Sequence, residues 1–178
     1  MKKEIFARLA EATALISAVA LSRLIPHLPN ATLVSPVALY ARSRFGPIGI
    51  MIPFLGLFAT DLILGLYNVR LLASVYASFA LVFLLGRFLT HESSIIRITS
   101  ASVFGTTLFF LITNTAVWAL SAWYPHTLTG LLACLAAGLP FYGYMLLGDC
   151  VGTLALFKAP VLACFRIRPI RMTIVPTR

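Results

Sequence analysis

The stretch GPIGIMIPFLGLFATDLILGL, residues 46–66, holds a single ionisable group, Asp61. About 20 apolar residues cover the roughly 30 Å of hydrocarbon in a bilayer, so this segment reads as a membrane-spanning helix, with a bend at Pro53. Working outward toward the N-terminus, residues 31–42 are short and carry Ser35-Pro36, which predicts a tilted short helix or a partly unwound one. Before them an apolar run over 7–25 stops at Pro26-His27-Leu28-Pro29-Asn30, where two prolines end the helix. Downstream, 71–85 is a fourth span that ends before Arg87, and 98–123 is a fifth, closed by Trp123-Tyr124-Pro125-His126 at a membrane interface.

The last apolar run, 128–165, is too long for one crossing: as a single helix it reaches about 57 Å at 1.5 Å per residue. The sequence predicts a break at Gly138-Leu139-Pro140, leaving a short interfacial or re-entrant helix over 128–138 and a sixth span over 140–162. The expected fold is therefore an all-α integral membrane protein. It is a six-transmembrane-helix bundle with a short extra interfacial helix before the last span, one domain over 1–165, and a basic cytoplasmic tail over 166–178.

Composition supports this reading. Of 178 residues, 60% are hydrophobic and 11% charged, with a mean hydropathy of +0.97, which excludes an ordinary water-soluble domain. The net charge of +9 would suggest nucleic acid as a partner in a soluble chain. Here the basic residues form short clusters between apolar runs, as topology signals do, and no nucleic-acid partner is expected. With six crossings and the N-terminus in the cytoplasm, every Lys and Arg except Arg23 and Arg70 falls on the cytoplasmic side, and both termini lie inside. Lys2 and Lys3 before an apolar stretch loosely imitate a signal peptide, but Glu4, Arg8 and Glu11 interrupt it, so an uncleaved first helix is expected. Cys134, Cys150 and Cys164 lack metal-ligand spacing and read as buried thiols; no metal and no cofactor is expected.

Polar groups inside the spans are the candidates for function, because a charge in hydrocarbon is costly and faces the bundle interior. Counted from the cytoplasmic ends of their helices, Arg23, Asp61 and Asn114 all rise about 22 to 24 Å, a shared level in the outer third of the bilayer. Asp149 borders that level from below, and His27, Asn30, Tyr124 and His126 lie in the loops above it. The arrangement predicts a polar pocket open to the outside. Arg23 and Asp61 supply charge, Asn30 and Asn114 hydrogen bonds, Trp118 and Tyr124 flat faces, and the loop histidines further contacts. The plainer reading is that Arg23 and Asp61 neutralise each other as a structural ion pair. On the first helix Ala10, Ala14 and Ala18 align three small side chains, either for packing within the bundle or for docking a partner.

The segments Arg23-Leu-Ile-Pro26-His27-Leu-Pro29-Asn30, Thr60-Asp61-Leu-Ile-Leu-Gly65, Asn114 with Trp118, Tyr124-Pro125-His126-Thr127-Leu-Thr-Gly130 and Gly148-Asp149 carry a resemblance over residues 15–157. The chain resembles a family of small uncharacterised bacterial membrane proteins related to the substrate-binding S components of energy-coupling-factor (ECF) vitamin transporters. The resemblance implies a bacterial inner-membrane protein that captures a vitamin or cofactor-like small molecule near the outer face. It also implies that Ala10, Ala14 and Ala18 dock on an ECF-type membrane coupling protein that works with ATPases. Relatives that take up cobalamin use a cysteine near the pocket; the loop between the third and fourth helices here has none.

The expected function is membrane transport of a small-molecule solute, and no enzymatic activity is expected. No Gly-rich phosphate loop is present, so energy comes from partners, a gradient or downhill flow. A scaffold or assembly factor is the alternative. An intramembrane aspartyl-type hydrolase using Asp61 and Asp149 ranks lower, since Leu147-Gly148-Asp149 lacks the first glycine of the Gly-x-Gly-Asp signature.

Overall fold

The structure, a computed structural model, describes residues 2–26 and 28–158. His27, Cys164 and the basic tail lie outside the described residues. The described chain is all-helical: α1 (Lys2–Leu24), α2 (Val34–Phe45), α3 (Met51–Leu64), α4 (Val69–Leu85), α5 (Ile95–Leu120) and α6 (Leu128–Lys158). 3-10 turns lie at Gly46–Ile50 and Gly86–Phe88. Among the described residues five helical stretches are long and apolar enough to cross a membrane, the run 34–64 counting as one of them. Large apolar side chains such as Phe58, Ile63, Phe104, Leu132 and Val151 point away from the bundle, as lipid rather than water as solvent requires.

Within the run 34–64 the chain doubles back. Leu33 at the start of α2 donates its backbone N–H to Ser22 near the end of α1, whereas Tyr40 and Arg44 farther along α2 reach back to Glu11 in the first half of α1. α3 then returns parallel to α1: Val19 packs on Gly56, and Arg23 bonds Leu57 and Asp61. The reversal is made by Gly46, at φ 68°, and by Gly49, which sits so close to the Ala41 carbonyl that no side chain fits. The expected span over 46–66 is thereby corrected. Residues 46–50 form a 3-10 turn, α3 begins at Met51, and Pro53 occupies its first turn, where a missing N–H costs nothing and no bend is needed.

α2 is the hub. All of its residues from Val34 to Ala41 are buried, and it touches α1, α3, α4, α5 and α6, so a helix covered on every side over that stretch lies at the centre. Ser35-Pro36 does not unwind it, because Pro36 also falls in a first turn. α5 and α6 form an antiparallel pair, tied by Ser102 to Thr153 and Thr106 to Asp149 lower down and by Cys134 to the Asn114 carbonyl higher up.

The predicted break at Gly138-Leu139-Pro140 is absent: α6 runs unbroken through Pro140, with no separate interfacial helix over 128–138. Gly138 explains how the site stays helical. Lacking a side chain, it lets α6 press directly against Asn114 and Phe110 of α5, and that contact holds the turn despite the hydrogen bond that Pro140 removes. At about 46 Å for 31 residues, α6 exceeds the hydrocarbon thickness, so it tilts or projects from it.

Candidate functional site

The end of α1, the loop after it and the start of α2 build one corner of an internal cavity. Asn30 takes φ 61°, a left-handed conformation that asparagine tolerates better than most residues, and this turns the chain from α1 into α2. Arg23, in the last turn of α1, donates to the Leu57 carbonyl at 3.0 Å and to Asp61 at 2.6 Å. The other Asp61 oxygen accepts from the Tyr76 hydroxyl of α4 at 2.8 Å, so three helices meet on one carboxylate. Asp61 is buried and does not line the cavity, while Arg23 borders it.

The cavity has a volume of about 190 Å³. Exposed Asn30 and Tyr67 stand at its mouth with Arg23, and buried Ser35 and Asp149 form its floor. Its walls are apolar and include Val75, Met145 and the facing rings of Phe79 and Phe109, whose centroids are 4.5 Å apart. A smaller chamber of about 70 Å³ adjoins it through Asn30, Phe109 and Met145, and is lined on its far side by Asn114, Thr113 and Tyr142. Asp149, 1% exposed, accepts from the Thr106 hydroxyl at 2.7 Å, with the Ser35 hydroxyl as a second neighbour.

The structure thus brings together Arg23, Asn30, Asp61, Asn114 and Asp149, five of the residues singled out in the sequence. It leaves others apart. Trp118 donates its indole N–H to the Pro125 carbonyl and stacks edge-on against His126, so both pin the loop between α5 and α6. Tyr124, half-buried in the same loop, lines neither chamber. Tyr124 and His126, expected in a loop above the shared level of Arg23, Asp61 and Asn114, thus do not reach the cavity, since that loop joins α5 to the first turn of the unbroken α6. Cys134 is buried as expected, whereas Cys150 is only half-buried.

Ser35, Tyr67, Tyr76 and Thr106 join the site without standing out in the sequence as site residues. A usable signal was the spacing of polar residues four apart on otherwise apolar helices, Ser102 with Thr106 and Asp149 with Thr153, which puts each pair on one face. Glu11, in the sequence an interruption of the first apolar run, has a structural role of its own. Glu11 is 1% exposed on the side of the bundle away from the cavity mouth, held by the Tyr40 hydroxyl at 2.6 Å and by Nε and Nη2 of Arg44 at 3.1–3.2 Å. Beside it Tyr40 packs edge-on against His91 and Phe157, and Lys158 donates to the His91 and Ser93 carbonyls.

Fold and site together define a class: an all-helical bundle of membrane-crossing type with a cavity inside it that is polar at its mouth and floor. The chain belongs to a family of unknown function, DUF6580, which matches residues 3–170. No curated protein and no solved structure matches it.

Proposed function

We propose that the protein is a six-pass transport protein of the bacterial inner membrane that binds a small solute in the cavity below Asn30 and delivers it inward, with both termini cytoplasmic. The observation that carries this reading is the cavity itself, about 190 Å³, which opens beside Arg23 and ends on a buried carboxyl group. Polar groups of a bundle in lipid are expensive unless satisfied or used. A scaffold needs only the closed Arg23–Asp61 pair; it does not need Asn30, Ser35, Asp149 and Asn114 arrayed around empty space. The two aspartates that a hydrolase would pair are held by different partners, Asp61 by Arg23 and Tyr76 and Asp149 by Thr106, which favours binding over catalysis.

The six passes rest on the doubling back of 34–64, and the orientation on the gathering of Arg42, Arg44, Arg87 and Lys158 at the end opposite Arg23. The resemblance to ECF S components accords with this arrangement. α1 packs through Glu11, Leu15 and Val19 and leaves Ala14 exposed and Ala10 and Ala18 half-buried, so the alanine stripe stays accessible to a coupling protein. The volume narrows the solute class: drug-sized sites measure about 300–1,000 Å³, so this cavity suits a solute at the small end of the vitamin range.

Extraction of co-purified small molecules from the detergent-purified protein, followed by thermal-shift titration with each, tests the reading. A genuine solute raises the unfolding midpoint, and Arg23→Ala, Asn30→Ala and Asp149→Asn each cut the gain. A shift that survives all three substitutions places the solute elsewhere.

A further inference from the structure

Charge accounting around the cavity deepens this reading and rests on it. Arg23 is already engaged by Asp61 and by the Leu57 carbonyl, so the cation at the mouth is neutralised within the protein. At the floor the position is reversed. Asp149 has two hydroxyl neighbours, and among the described residues no Lys, Arg or His pairs with it. Thr106 has one hydroxyl proton and two acceptors to serve, Asp149 at 2.7 Å and the Ser102 carbonyl at 2.9 Å, and the carbonyl can only accept. A carboxylate so placed is under-compensated, and removing such a group from water is costly unless a counter-charge arrives. Among the described residues the space that reaches Asp149 is the cavity, whose lining also includes the Phe79 and Phe109 rings, an apolar surface for the body of a solute. An anionic solute meets the opposite: a carboxyl floor, and a guanidinium already committed.

We propose that the cavity takes a small organic cation, its charged nitrogen seated on Asp149 and its apolar body against Phe79 and Phe109. The pairing supplies the charge that the fold withholds from Asp149, so binding strength resides in a group made whole only when the site is filled.

The test follows thermal unfolding of the full chain in detergent with butylammonium, butan-1-ol and butanoate, three probes of one shape and different charge, at matched ionic strength. Butylammonium is expected to raise the midpoint saturably by several degrees, and the alcohol and the carboxylate to leave it in place. Asp149→Asn should weaken butylammonium binding at least ten-fold, and Thr106→Val should weaken it less. If Asp149→Asn does not fold, Asp149→Glu replaces it and should retain preference for the cation. Equal stabilisation by the alcohol or the carboxylate overturns cation recognition while leaving the cavity as a solute site. No stabilisation by any of the three overturns it as well, and the co-purified solute then judges the cavity reading independently.

Discussion

Glu11, near the middle of α1, and Asp61, on α3 beside the end of α1, are both buried carboxylates with an arginine partner and a tyrosine hydroxyl. Breaking such a pair by removing one partner leaves a charge without its counter-charge and costs about 3–5 kcal/mol, whereas replacing the whole set by apolar groups is often neutral. Glu11→Leu is therefore expected to destabilise the protein by about that amount in reversible denaturant unfolding in detergent, and Glu11→Leu with Arg44→Leu and Tyr40→Phe to recover most of it. Equal stability of the single and triple variants would show that the carboxylate is not what Arg44 depends on. Tyr76→Phe removes one hydrogen bond to a charged acceptor and should cost about 1.5–3 kcal/mol, less than Asp61→Leu, which strands Arg23.

Helix contacts explain how much of the fold the sequence disclosed. Spans were legible because apolar runs of the right length have few soluble alternatives, and four of the helices fall within a few residues of expectation. Proline positions were not legible, since the same residue is harmless in a first turn and disruptive in the middle of a helix. Pro36 and Pro53 prove to be of the first kind, and Pro140 is tolerated because Gly138 abuts α5. Polar groups at a common depth point to Arg23, Asp61 and Asn114, but the hydroxyls that complete the site, Ser35 and Thr106, announce themselves weakly: Thr106 only by its four-residue spacing from Ser102, whose carbonyl it also bonds as an ordinary helix hydroxyl does. Glycines sort the same way. A Cβ on Gly86 would lie 2.3 Å from the Leu39 carbonyl, a backbone atom that cannot swing aside, while one on Gly143 meets nothing. Gly86→Ala should lower stability by about 1–3 kcal/mol through overpacking of the α2 contact, and Gly143→Ala should be neutral or raise it by up to about 1 kcal/mol. Thermal unfolding of the two variants beside the parent decides it.

At the scale of the molecule, the direction of α2 determines on which side every later loop lies. If 34–64 crossed the membrane once, the loops at 25–33 and 65–68 would emerge on opposite sides. If it doubles back, both emerge on the same side. The second arrangement is the one in which Asn30 and Tyr67 border one cavity and Arg23 reaches Asp61. It also sorts charge: Arg42, Arg44, Arg87, Arg97 and Lys158 share one face and Arg23 and Arg70 the other, the asymmetry that sets orientation in membranes. With Cys134, Cys150 and Cys164 replaced by serine, single cysteines at Asn68, Ala122 and Ser94 report the side directly. In intact spheroplasts an impermeant maleimide should label Asn68→Cys and Ala122→Cys, and should label Ser94→Cys only after lysis. Labelling of Ser94→Cys alone before lysis would mean that the same bundle is inserted the other way round, with its N-terminus outside and the cavity mouth toward the cytoplasm, reversing the proposed direction of solute entry.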